Sequence, residues 1–132
     1  MKIYHGTGYT GDIKKFRKSK SGMLGSGLIY FTTDFKRAKY YATKEYGTGF
    51  VYEVDLDVKN PFVLPANEYP IDFVLTPNKA AQRKNANTNC CFWLKASDYN
   101  KHRRCGCNCI IYGDEIAVFD NDIITIIKKH EV

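Results

Sequence analysis

Three apolar runs of β-forming residues, at 109–112, 115–120 and 123–128, crowd the end of the chain. They are joined only by Gly113-Asp114 and Asn121-Asp122. Gly, Asn and Asp reverse a chain tightly, through positive φ angles or side-chain bonds to their own backbone. The C-terminal region therefore reads as strands folded against one another. Phe50, Tyr52, Val54 and Leu56 alternate with the acids Glu53, Asp55 and Asp57, the two-residue period of a half-buried strand. Residues 2–5 form a short strand ending in the turn-prone Gly6-Thr7-Gly8, and residues 28–32 another, entered through Gly25-Ser26-Gly27.

Between these strands the period changes. Phe35, Ala38, Tyr41, Ala42 and Tyr46 recur at helical spacing, with Lys36, Arg37 and Lys44 directed elsewhere. Thr33 or Asp34 can cap this helix by accepting a first-turn amide, and Gly47 ends it. Residues 8–26, rich in Gly, Lys and Ser, read as a surface loop anchored by Ile13 and Phe16, with room for a helical turn. Asn60-Pro61, Pro65, Pro70 and Pro77 make the following stretch irregular; residues 71–75 suit a short helix or a strand. Thr88 or Asn89 can open a second helix running through Phe92, Trp93, Leu94 and Tyr99. Early strands, two helices and late strands give an α+β class with a mostly antiparallel, split sheet and flanking helices.

The 132 residues suit one domain over 1–132. No apolar run is long enough to span a membrane, and no signal-peptide core follows Met1. A cytoplasmic monomer without membrane contact is expected. The net charge of +6 collects at residues 14–20 and 79–104, and attracts phosphates or simply solvates the surface. No aromatic interleaving accompanies the charges of those two stretches. Cys90, Cys91, Cys105, Cys107 and Cys109 are odd in number and lack the spacing of a zinc site even with His102 nearby. Free thiols and no metal are the expectation.

Three strand segments each offer one unusual residue: His5, Tyr30 and Glu115. Singly, these suit a hydrogen-bonded structural histidine, a core tyrosine and a solvated acid. Their order and neighbours change the reading. Tyr4-His5-Gly6-Thr7, Gly25-Ser26-Gly27-Leu28-Ile29-Tyr30-Phe31-Thr32, Ala38-Lys39-Tyr40-Tyr41 and Asp114-Glu115-Ile116-Ala117-Val118-Phe119-Asp120 together resemble the ADP-ribosyltransferases of the poly(ADP-ribose) polymerase and diphtheria-toxin branch. Gly106 to Tyr112 is similar to the approach segment of small bacterial and phage members. The departure is one extra residue between the glycines and Tyr30. The resemblance covers residues 3–56 and roughly 92–127.

The resemblance implies NAD+ as substrate, with Glu115, His5 and Tyr30 as catalytic residues. Glu115 would accept a hydrogen bond from the nicotinamide ribose and stabilise the positive charge that develops as nicotinamide leaves. His5 would meet the adenosine ribose, Gly6 the nicotinamide amide through its backbone, and Thr7 a nearby hydroxyl. Tyr30, beside Phe31, would stack on nicotinamide together with Tyr40 or Tyr41, since family spacing rules point to both. Arg-Ser-Glu members need an arginine and a serine where His5 and Tyr30 stand. Gly113 occupies the position where arginine-modifying members carry Glu or Gln. The resemblance thus implies mono-ADP-ribosylation of a protein or nucleic acid, in a toxin-like, bacterial or phage setting, including delivery into a target cell. The alternative is a non-catalytic NAD- or nucleic-acid-binding module on the same fold.

Overall fold

The computed structural model describes residues 2–20, 27–64 and 106–132. Seven strands form one sheet: β1 (Lys2–Thr7), β2 (Ile29–Thr32), β3 (Phe50–Leu56), β4 (Phe62–Leu64), β5 (Cys109–Tyr112), β6 (Glu115–Val118) and β7 (Ile124–Glu131). Their order is β4-β5-β6-β2-β1-β3-β7. Every pairing is antiparallel except β4–β5, so the mostly antiparallel α+β expectation holds. The Gly113-Asp114 turn joins β5 to β6, with Gly113 at φ 57°. Asn121–Ile123 makes a single 3-10 turn before β7. β4 is a departure from the irregular stretch expected after Asn60-Pro61. It follows Asn60 at φ 47°, in the left-handed region that asparagine tolerates better than most residues.

Side chains alternate across the sheet and build two unequal layers. On one face Ile3, Phe16, Ile29, Phe31, Tyr52, Val54, Leu56, Ile116 and Val118 form the main core. Complete burial of a side chain such as Ile3 or Phe31 contributes about 1.5–3 kcal/mol. On the other face lies α1 (Phe35–Thr43), the one α-helix among the described residues. Ala38 and Ala42 bring it down onto Val51. β3 is therefore covered on both faces at Val51, whereas its alternating pattern predicts one wet face. The second helix expected near Thr88 lies outside the described residues.

Two glycines let α1 sit close. A Cβ on Gly6 would collide with the Ala38 carbonyl oxygen, and one on Gly49 with that of Ala42. Asp34, rather than Thr33, caps the helix: its Oδ1 accepts from Lys36 N at 2.9 Å. Thr33 instead donates its hydroxyl to Asp114 Oδ1 at 3.0 Å, which fastens the β5–β6 turn beside the helix start. The helix stops at Thr43, and Gly47, at φ 76°, donates its N–H to the Thr43 carbonyl.

The loop after β1 is tied down along its described length. Tyr52 Oη accepts from Ile13 N and donates to Gly11 O. The Asn121 side chain holds both backbone groups of Phe16, at 2.8 and 2.9 Å. Phe16, buried against the sheet, is the anchor its sequence context suggests.

Candidate active site

β1 pairs with β3 at six successive positions but with β2 at only one, Tyr4 opposite Thr32. Beyond that point β1 and β2 part, and the sheet is split there. At the opening, His5 Nδ1 lies 2.8 Å from the Tyr30 carbonyl oxygen. A carbonyl can only accept, so Nδ1 carries the proton and Nε2 keeps its lone pair. A side chain thus spans the gap where backbone pairing has lapsed. Phe16 and Phe31 pack edge-on against the imidazole, at centroid distances of 4.9 and 5.7 Å. Burial lowers the pKa of His5 below 6.5, partly opposed by the bond to Tyr30. The ring is neutral near pH 7.

A cleft of about 1100 Å³ opens over this split. That is slightly above the range of about 300–1,000 Å³ usual for small-molecule sites. His5, Gly6 and Thr7 reach it from β1, Tyr30 from β2, Tyr41 from α1 and Glu115 from β6. Phe31 also borders it, but its ring is turned toward Phe16 and His5, where it supports the histidine. Tyr40 does not line the cleft; it meets Tyr41 edge-on at 5.6 Å. Of the two tyrosines left open by spacing, Tyr41 is the one facing inward. Thr7 Oγ1 accepts from Tyr9 N, which leaves its own hydrogen to donate.

Glu115 sits directly across the β2–β6 ladder from Thr32, while Tyr30 is paired with Ala117. These positions share a sheet face, so the acid and the tyrosine project toward the same side. The Glu115 side chain is only 12% exposed. Burial raises its pKa above the ordinary 4.5; Arg37, whose Nη1 lies 3.3 Å from Oε1, pulls it back, and Asp114 pushes it further up. The arrangement offers a partly desolvated carboxylate, a neutral histidine with a free ring nitrogen and two tyrosine faces around one cavity.

The family model for ADP-ribosyltransferase in polyvalent proteins matches residues 1–130. The chain belongs to that family. No curated protein and no solved structure matches it. The family uses NAD+ as the ADP-ribose donor.

In this member of the family, sequence reasoning missed Arg37 as a neighbour of Glu115. The two are separated by 78 positions, and Arg37 reads only as a solvated cation on the polar side of a helix. It also missed the disulfide at Cys107, a correction to the free thiols expected there; the partner cysteine lies outside the described residues. Cys109 is free, but burial pushes its thiol up to about 12, which removes it as a nucleophile. Cys105 and His102, weighed for zinc, lie outside the described residues. Among the described residues no three His, Cys, Asp or Glu side chains converge on a cation position. Nor is any described helix long and apolar enough to cross a membrane.

Proposed function

We propose that residues 1–132 form a catalytic domain that transfers ADP-ribose from NAD+ to a macromolecular acceptor, one unit at a time, with release of nicotinamide. The observation carrying this reading is that one cleft collects His5, Tyr30 and Glu115 from three different strands. Tyr30 and Tyr41 flank the nicotinamide ring, because a flat cationic ring favours aromatic faces. Gly6 binds the carboxamide through its backbone. His5 Nε2 accepts from an adenosine ribose hydroxyl, in the tautomer that its bond to Tyr30 selects. Thr7 donates its remaining hydrogen nearby.

As the bond between C1′ and the nicotinamide nitrogen breaks, its electron pair leaves with nicotinamide and positive charge develops on the ribose. The Glu115 carboxylate accepts a hydrogen bond from the ribose 2′-hydroxyl and stabilises that charge from a site with little water. The Arg37 contact opposes the rise that burial imposes on the Glu115 pKa, and so favours its ionised form.

One observation favours a second reading, a binding module without turnover: Arg37 already occupies Oε1 of Glu115. Incubation of the purified protein with labelled NAD+, beside Glu115→Gln, separates the two. Nicotinamide release that depends on Glu115 supports transfer chemistry. Bound NAD+ left intact by the wild-type protein would sink the catalytic reading and leave a binding module.

A further inference from the structure

The outer rim of the cleft carries more aromatic surface than the NAD+ reading uses. Tyr9, Tyr40, Tyr41 and Tyr46 are 62%, 62%, 46% and 75% exposed, and only two other large apolar side chains, Val63 and Ile127, stand exposed among the described residues. Such concentration in one place marks a contact surface more often than chance. Tyr9, Tyr41 and Tyr46 line the cleft, and Tyr40 touches Tyr41. Tyr46 leans over Gly8, where an added Cβ would stand 3.3 Å from its ring.

Cations interleave with these rings. Lys36, Lys39 and Lys44 are exposed on α1 and the turn after it, and Lys44 Nζ lies 5.0 Å from the centre of the Tyr41 ring. The loop that leaves the rim at Thr10 continues to exposed Lys14, Lys15, Arg17 and Lys20. Opposing them, Glu45 and Glu131 line the cleft and Asp34 caps the helix. Over residues 34–46 the cations Lys36, Arg37, Lys39 and Lys44 outnumber the acids Asp34 and Glu45. The expectation that no aromatics interleave with the basic charges does not hold here, where Tyr40, Tyr41 and Tyr46 alternate with Lys39 and Lys44.

Open tyrosine faces beside lysines suit unpaired bases joined by phosphates. A duplex would use the lysines and leave the rings idle, because its base faces are already stacked. An acidic peptide would also use the lysines, with no run of flat groups to cover Tyr9, Tyr40 and Tyr46. We infer that Tyr9, Tyr40 and Tyr46, with Lys39 and Lys44, bind single-stranded nucleic acid and present one of its bases as the ADP-ribose acceptor, beside the Tyr41 ring that the nicotinamide occupies. This rests on the transfer reading above. In the transfer step a base nitrogen donates its electron pair to C1′ as nicotinamide departs with the pair of the broken bond. The proton lost by that nitrogen passes to Glu115 and then to water.

The test is fluorescence anisotropy with a short labelled single strand, as DNA and as RNA, beside the same sequence as a duplex. The single strand is expected to bind tighter than the duplex, with affinity falling steeply between about 50 and 200 mM salt. Tyr40→Ala and Tyr46→Ala should each weaken it roughly tenfold, within the range for loss of one base stack. Tyr46→Phe, which keeps the ring, should bind as wild type and guards against a folding artefact. Lys39→Gln with Lys44→Gln should flatten the salt dependence. Equal affinity for duplex and single strand, or alanine variants that bind as wild type, would overturn the inference.

Adding labelled NAD+ to the bound strand reads the second half. Label on the oligonucleotide supports it; NAD+ consumed while the bound strand stays unlabelled, or labels only an added protein mixture, overturns it. Strand binding with no NAD+ consumption under any condition would instead locate the failure in the transfer reading.

Discussion

The two edges of β1 behave differently. Toward β3 it is paired at every one of its six residues; toward β2 it is paired once, and the gap is bridged by the His5 ring. The paired edge gives the cleft only its far wall, at Phe50 and Glu131. The open edge holds the cleft, the neutral histidine and the tyrosine. Both edges depend on the same six residues, since Ile3 enters the main core and Gly6 receives the helix. The lesson is that one strand supports stability through its backbone on one side and turns side chains toward a cleft on the other. A substitution should therefore report on one side or the other according to where it points.

The largest expected effect tests the open side. Glu115→Gln should lower NAD+ cleavage on the order of a hundred- to a thousandfold, about 3–4 kcal/mol of barrier, measured as nicotinamide release. Its thermal stability should not fall. A carboxyl whose folded pKa is raised adds stability only while it is protonated, and that contribution is lost as pH rises through the folded value. Loss of stability together with activity would mean that the two sides are not separable at this residue.

Next comes Gly6→Ala, which forces a methyl group into the Ala38 carbonyl. Overpacking of this kind should cost about 2–3 kcal/mol in denaturant unfolding. Unchanged stability would show that α1 is not seated on β1 as described.

Arg37→Gln sharpens the comparison through pH. The burial that raises the Glu115 pKa would then act unopposed by a cation, so the acid limb of the rate profile should move to higher pH. On the acid side of both limbs, cleavage should fall about tenfold for each unit of that movement, and Arg37→Lys should restore most of it. An unmoved limb would remove Arg37 from the site.

His5 works in the opposite direction to Glu115. Its folded pKa is depressed by burial, so its stabilising contribution is complete above 6.5 and is lost as pH falls through the folded value. Thermal melts should show stability declining on the acid side of 6.5, with a shallower decline in His5→Gln. The smallest effect is Asp34→Ala, about 1 kcal/mol from the lost helix cap, with NAD+ cleavage little changed.

Much of this architecture was legible because its signals are local. The turn residues Gly113 and Asp114, the alternation through Tyr52, Val54 and Leu56, and the cap at Asp34 each act within a few residues of themselves. β4 was not legible, because three residues after a proline become a strand only by pairing with β5, far along the chain. The burial of Val51 likewise depends on a helix laid over it. In the cleft, the motifs pick out His5, Tyr30 and Glu115 as residues to look for, and all three line it, while the tautomer of His5 and the Arg37 contact depend on strands brought together from distant positions. Tyr40 and Tyr41 were both permitted by spacing. Only the roll of α1 on Gly6 and Gly49 turns Tyr41 to the cleft.

The ladder between β2 and β6 also limits how such a chain can drift over generations. Glu115 faces the cleft because it stands opposite Thr32, at the second residue after the Gly113-Asp114 turn begins. Insertion or deletion of a single residue within β6 would reverse the parity of everything beyond it and turn apolar Ile116 and Val118 out of the core. Changes there are tolerable only in pairs. Sequence length in this strand should therefore be inherited almost unchanged, even among descendants whose acceptors have diverged.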